Sequence, residues 1–325
     1  REKQGLRTAV VTTEQIYQRF SQGLPTPQAL TDFLRWAHDE WPSPAPRFVL
    51  LAGDASYDPL DFTTGPYQNL VPTSLQSTQV MGETASDNAL ADLDGDGRPD
   101  LAIGRLPAQT PAEMQAMVAK TLAYEQDAPT GDWRQQMLLV ADDDDSYFAQ
   151  FNQDMVGYIP NDFQTTQLVI GDEADVRSDL LNSLNSGERL VSYMGHGAVN
   201  IWAQEEILTN DDIADLDQEG RLPFIVVWAC LNGFFHHPSA KSLGETLLLT
   251  PDKGAVAALV PTGQTFPNNQ YALADALFGR YLFQTPTIGE ALNAAFRELN
   301  PQHAGERDII NTFVLLGDPA LRIFD

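Results

Sequence analysis

The sequence predicts an α/β protein with a mostly parallel sheet and helices on both faces. Runs such as Met137-Leu-Leu-Val and Ile225-Val-Val are too uniformly apolar for a sheet with one wet face. From residue 136 onward they alternate at short spacing with segments of helical periodicity. No internal repeat or low-complexity tract competes with this reading.

Each element has a local reason. Leu6 to Val11 is a short strand candidate. Thr12 to Gly23 reads as a helix with Thr13 as its cap, and Thr26 to Asp39 as a second helix. Pro42, Pro44 and Pro46 break the chain before a strand at Phe48 to Ala52. Residues 55 to 90 carry many turn formers and read as loops and short strands. A strand from Leu101 leads into Thr110-Pro111-Ala-Glu113, a helix start with proline at its first position and a capping-box glutamate. That helix runs to about Gln126. The tract Asp127-Ala-Pro-Thr-Gly-Asp is the best linker, so the expected division is a smaller α/β subdomain over 1–130 and a larger one over 131–325.

In the second part, strands are expected at 136–141, 167–170, 190–194, 224–229, 254–260 and 313–316. Helices are expected at 146–158, 175–186, 209–216, 242–249, 268–283 and 287–299.

Composition excludes several functions. The 325 residues hold 45 acidic against 19 basic side chains, a formal charge of −26. Phosphate binding needs clusters of Lys and Arg, so nucleic acid is not the expected partner. The balance favours cationic ligands, calcium or an extracellular milieu. No apolar stretch reaches the roughly 18 residues of a membrane span. The first residues carry neither a hydrophobic signal core nor an initiator Met, as expected of a chain that starts inside a longer precursor.

The chemistry gathers at two strand ends. The only cysteine, Cys230, ends the run Phe224-Ile-Val-Val-Trp-Ala-Cys. The run Arg189-Leu-Val-Ser-Tyr-Met ends at Gly195-His196-Gly197. A thiol and an imidazole at one sheet edge are the minimum parts of a cysteine nucleophile and its base. A buried cysteine packing as a small hydrophobe is the competing reading. The amides of Gly197 and Cys230 are natural oxyanion donors. A strand ending in Asp142-Asp143-Asp144-Asp145 brings carboxylates to the same edge. Asp142 is the first choice to orient the imidazole and Asp143 the second, against a solvated acidic loop. His236 and His237 make no zinc pattern. Asp92, Asp94, Asp96 and Asp100 fall at positions 1, 3, 5 and 9 of a calcium-type loop. Position 12 is Ile103 instead of glutamate, so a structural calcium outside a helix-loop-helix frame is expected.

Together these pieces resemble the gingipain-type cysteine peptidases, family C25 of the caspase-like clan. The matching motifs are Leu50-Leu-Ala-Gly-Asp54, Thr84-Ala-Ser-Asp87-Asn88, Asp100-Leu-Ala-Ile-Gly-Arg105, Tyr193-Met-Gly-His196-Gly197, Trp228-Ala-Cys230-Leu-Asn-Gly233, Ser242-Leu-Gly-Glu245 and Leu316-Gly-Asp-Pro319. The resemblance implies a caspase-like αβα sandwich preceded by a smaller subdomain. It implies Cys230 as nucleophile, His196 as base and then acid, and an acid at or near Asp142. Asp154 would fall near the position that reads a basic P1 side chain, where a solvated helix face is the alternative. Protein or peptide substrates, a secreted or surface location and a longer precursor are implied in the same way. A catalytically silent or highly restricted binding module and a thiol transpeptidase are the rival functions.

Overall fold

The computed structural model describes all residues except 61, 64, 172–174 and 325. After a 3₁₀ turn at Glu2–Gln4 and an unpaired N-terminal segment come helices α1 (Thr13–Phe20) and α2 (Pro27–Glu40), then strand β1 (Phe48–Ala52). A hairpin of β2 (Ser74–Thr78) and β3 (Gly82–Ser86) precedes β4 (Ala102–Leu106) and α3 (Pro111–Gln126). The chain continues through β5 (Gln136–Ala141), α4 (Ser146–Val156), β6 (Gln164–Val169), α5 (Val176–Ser186) and β7 (Leu190–Met194). Three two-residue strands follow: β8 (Gly197–Ala198), β9 (Ile201–Trp202) and β10 (Leu208–Thr209). Then come α6 (Asn210–Ile213), β11 (Phe224–Trp228), α7 (Leu243–Leu249) and β12 (Ala257–Pro261). The last elements are α8 (Pro267–Ala276), α9 (Ile288–Glu298), α10 (Ala304–Thr312) and β13 (Phe313–Leu316).

Eight strands form one sheet in the order β1-β4-β13-β12-β11-β7-β5-β6. Only the β12–β13 pair is antiparallel; the other neighbours run parallel. The expected α/β sandwich with a mostly parallel sheet is therefore the observed one. Strands β5, β7, β11 and β12 are apolar apart from Gln136 and Ser192, because both faces are covered. One core packs α4, α8, α9 and α10 against the sheet, and a second packs α3, α5 and α7 on the other face. The strands from the first 130 residues, β1 and β4, extend the sheet beside β13 through the single pair Leu316↔Arg105. A third, smaller core joins α1 and α2 to β1 and β4. Among the described residues, no helix is long and apolar enough to cross a membrane.

Several local expectations are corrected. Residues 6–11 form no strand. Thr12, not Thr13, caps α1, accepting from the Gln15 amide in a capping box. The helix expected over 268–283 stops at Ala276 and continues as a π-helical turn, Leu277–Tyr281. Strand β6 starts earlier than its apolar residues, because Gln164-Thr-Thr sits on an edge strand that tolerates polar side chains. Helix α10 and the strands β8 to β10 were not legible as elements. Expected boundaries elsewhere differ from the observed ones by a few residues.

Candidate active site

The pairing register carries the two candidate groups to one place. Strands β5, β7 and β11 are adjacent and parallel, with Ala141↔Met194 and Met194↔Trp228 as their last pairs. His196 and Cys230 each lie two residues beyond those ends. The backbone stays laced past the pairing: Gly195 N–H donates to Trp228 O at 3.1 Å, and Asp142 N–H to Met194 O at 3.0 Å.

The two glycines beside His196 are there for space, not for unusual backbone angles. A Cβ on Gly195 would meet the Asp142 Cβ at 2.3 Å. One on Gly197 would meet the Cys230 carbonyl oxygen at 2.9 Å and the Asn232 Oδ1 at 2.8 Å. The imidazole loop is thus pressed against the thiol loop on one side and against Asp142 on the other. Tyr193 locks the turn, its hydroxyl donating to His196 O at 2.6 Å and its ring stacked on Trp202 at 4.5 Å. Asn232 ties the two loops together by donating to the carbonyls of Ala198 and Ile201 at 2.6 and 3.0 Å. Leu231, directly after the cysteine, adopts a left-handed φ of 64°, so the chain turns sharply at the thiol.

The carboxylates divide their work. Asp142 is fully buried, and its Oδ2 accepts the His196 backbone N–H at 2.8 Å. Its Oδ1 accepts the Asp144 N–H at 3.3 Å. Asp142 therefore meets His196 at its backbone. The carboxylate facing the ring is Asp144, whose Oδ2 lies 3.9 Å from His196 Nε2 and also accepts from Gln204. Phe148, in the first turn of α4, packs edge-on against the imidazole at 5.5 Å between ring centres. The ring itself is largely exposed. Sequence reasoning ranked Asp142 and Asp143 and passed over Asp144. No local signal pointed to Asp144, because the chain bends at residues 143 and 144, just past the end of β5. Asp143 lies with Asp142 and Glu205 in an acidic cluster at the mouth of the site.

The Cys230 thiol is half-buried, and its polar contact is the Thr265 carbonyl at 3.9 Å. Burial pushes the thiol above its usual pKa range. Gln270, itself buried, donates to Ala229 O and Thr265 Oγ1, both at 3.0 Å, and so fixes the wall beside the thiol. The Cys230 N–H donates to no backbone carbonyl among the described residues.

Asp154 is not brought to this pair by any contact. It lies six residues beyond Phe148 on α4, about 9 Å along the helix axis. Its carboxylate accepts from Gln150 at 2.8 Å and from the Tyr271 hydroxyl at 3.2 Å. His236 is buried against Tyr57 and Phe234, and its pKa falls to about 3 because burial disfavours the charged ring.

Away from the site, Asp92, Asp94 and Asp100 place carboxylate oxygens within 4.8 Å of one another. Asp92 accepts from the Gly95 and Gly97 amides at 2.7 and 3.0 Å, and Asp100 from the Leu93 amide at 2.8 Å. Burial, with the charges of Asp96 and Asp94, pushes Asp92 above the usual carboxylate range. Three converging hard oxygen donors that repel one another fit a calcium ion. Asp96 instead turns to Arg98, 3.1 Å away.

The sequence model of peptidase family C25 matches residues 1–324. The chain belongs to peptidase family C25. It is 22% identical to gingipain R2 of Porphyromonas gingivalis over 339 aligned positions, covering 99% of this chain and 43% of that protein. Against gingipain R1 of Porphyromonas gingivalis the identity is again 22%, with 32% of that protein covered. The chain thus spans less than half the length of these curated relatives. Its fold is similar to the crystal structure of the Arg-specific cysteine proteinase gingipain R, with a TM-score of 0.76, 20% identity, and 94% of this chain and 70% of that chain covered. The complex of Porphyromonas gingivalis RgpB pro- and mature domains gives a TM-score of 0.78 at 19% identity, covering 98% of this chain and 74% of that one. The family is one of cysteine peptidases, and the fold is that of the gingipain structures.

Proposed function

We propose that this C25 member is an endopeptidase in which Cys230 attacks the peptide carbonyl and His196 carries the proton. The observation that supports this reading best is the register Met194↔Trp228, two residues before the imidazole on one strand and the thiol on the next. The raised thiol pKa means the resting group is a thiol. Imidazole takes its proton as the sulfur adds to the carbonyl, then passes it to the departing amine. Water, deprotonated by the same imidazole, clears the acyl-enzyme. The amides of Gly197 and Cys230 are the proposed oxyanion donors. Asp142 fixes the His196 backbone, and Asp144 supports the imidazolium once it forms.

The proposed P1 side chain is basic, in keeping with the excess of 45 acidic over 19 basic residues. Asp154 would read it with the acceptor sites that Gln150 and the Tyr271 hydroxyl leave free. Calcium held by Asp92, Asp94 and Asp100 would pin the loop before β4, with a purely structural task. A secreted or surface enzyme made as part of a longer precursor is the setting we propose for it. The second reading is a silent or highly restricted relative, favoured by the lack, among the described residues, of a hydrogen bond between the thiol and the imidazole.

A positional-scanning library of peptide substrates tests the function. Cleavage with a basic P1 preference, lost in Cys230→Ala and reduced in Asp154→Ala, is expected. Cleavage that survives Cys230→Ala would refute the mechanism.

A further inference from the structure

Two motifs that stand out in the sequence end in acids that catalysis leaves unused, Asp54 just after β1 and Glu245 in the first turn of α7. Both residues are 1% exposed. A chain of contacts joins them. Gln109 Nε2 donates to Asp54 Oδ2 at 2.9 Å, and the Gln109 amide to Glu113 Oε2 at 2.8 Å. Lys241 donates to Glu113 Oε1 at 2.7 Å. The next residue, Ser242, donates its amide and its hydroxyl to Glu245 Oε2, both at 2.8 Å. Ala55, beside Asp54, and Leu243, two residues before Glu245, pack in one core. The cations whose charge reaches the acids are engaged elsewhere: Arg105 with Asp87 and Lys241 with Glu113, each at 2.7 Å. The Tyr67 ring, 5.6 Å from Lys241 Nζ, also faces the cluster. Burial pushes the Asp54 pKa up to about 7, against the pull of Gln109, Arg105, the Ala55 amide and Lys241. Burial, and then the charge of Asp54, push Glu245 well above the carboxylate range.

Glu245 stands where both candidate catalytic loops are tied down. The Leu243 amide donates to Val199 O at 2.7 Å, and the Gly244 amide to Asn232 O at 2.8 Å. Val199 lies three residues beyond His196, and Asn232 two beyond Cys230. A Cβ on Gly244 would meet Asn232 O at 2.8 Å, so the turn is pressed directly onto the thiol loop. Glu245 holds that turn in its helical form by closing a capping box with Ser242.

We propose that Asp54 and Glu245 are a positioning pair for these loops: with at most one of them charged they hold the 242–245 turn against Val199 and Asn232, and with both charged they push it away. Two carboxylates buried together, with no cation of their own among the described residues, repel where water screens little. The first charge is accommodated, since Asp54 has Gln109 and the Ala55 amide as donors. The second drives Glu245 from Asp54, and the Leu243 and Gly244 amides move with it. Both acids are raised above their unfolded values, so the tight state lies on the low-pH side and is lost as pH rises through the folded values. The consequence for turnover rests on the peptidase reading; the movement of the turn does not.

Hydrogen exchange on the full chain, followed from about pH 6.5 to about pH 9, tests the movement. Protection of the Leu243 and Gly244 amides, corrected for the intrinsic rate, should fall at least about 10-fold across that range in the wild type. It should fall less than about 3-fold in Asp54→Asn and in Glu245→Gln, where one partner is permanently neutral. The two variants are independent, so one that folds suffices. In either variant the alkaline limb of the kcat/KM profile should move up by about one pH unit. A role in packing alone would scale the whole profile and leave its limb in place, which would overturn the proposal. Protection independent of pH in the wild type, or an equal fall in wild type and variant, would overturn it as well. The expected exchange behaviour without peptide cleavage at any pH would uphold the pair and count against the peptidase reading instead.

Discussion

Two aspartate-rich loops, 92–100 and 142–145, each carry four aspartates and have opposite architectures. In the first, carboxylates curl back onto their own loop: Asp92 accepts from Gly95 and Gly97, and the oxygens of Asp92, Asp94 and Asp100 converge on one point. In the second, the buried Asp142 reaches across to the His196 backbone while Asp144 faces the imidazole. The difference comes from what precedes each loop. The loop at 142–145 leaves a central strand whose parallel neighbour ends at Met194, so its first residue lands beside the next loop. The loop at 92–100 follows a short turn and leads into β4, so its nearest partners are its own amides. An aspartate run therefore says little until the sheet position before it is known.

The largest effect expected is from Asp142→Ala. It strands the amides of His196 and Asp144, and should cost about 2–4 kcal/mol of stability. It should also remove most peptidase turnover. Chemical denaturation and kcat/KM check both, and a variant that keeps wild-type values would break the contrast between the loops. Millimolar calcium should raise the melting temperature of the wild type; Asp94→Asn should abolish that rise, whereas Asp96→Asn should leave most of it, because Asp96 is turned to Arg98. Equal loss in both variants would remove the distinction drawn inside the first loop.

Another buried acid sharpens the comparison. Among the described residues Glu188 receives only the Ser183 hydroxyl, and burial lifts its pKa to about 7. The unfolded chain ionises near pH 4.5 and the folded one only near 7, so this group's contribution to stability declines as pH rises through that window. Glu188→Gln should therefore stabilise the protein at pH 8 by roughly 1–3 kcal/mol and have little effect at pH 4. The opposite sign would mean that the carboxylate has a cationic partner. The smallest effect belongs to Asp144→Asn. Exposed ion pairs contribute about 0.2–1 kcal/mol, so kcat/KM should fall by no more than about five-fold. A drop of a hundred-fold or more would make Asp144 the principal orienting acid.

The central sheet was legible because its strands are apolar on both faces: β5, β7 and β13 fall at the expected residues. The glycine-flanked His196 and the lone Cys230 stood out for their chemistry, and the register of β7 and β11 aligns the strand ends that precede them. What the sequence concealed depends on contacts distant along the chain. Nothing local tells that Asp142 is spent on a backbone amide, that Asn232 bridges to Ala198 and Ile201, or that Asp154 is held by Tyr271. The 6–11 run has strand propensity, but a strand needs a partner, and the described residues supply none. Helix α10 was missed because Asn311-Thr312 runs straight into β13, without the glycine or proline stop that usually marks a helix end.

The claim on which the rest stands is that Cys230 is a nucleophile activated by His196. Incubation with a peptidyl acyloxymethyl ketone carrying a P1 arginine, followed by intact-mass and peptide mapping, tests it directly. The account predicts one adduct, on Cys230, formed much more slowly in His196→Ala. No adduct with arginine, lysine or a small P1 residue, or labelling at the same rate without His196, would contradict it.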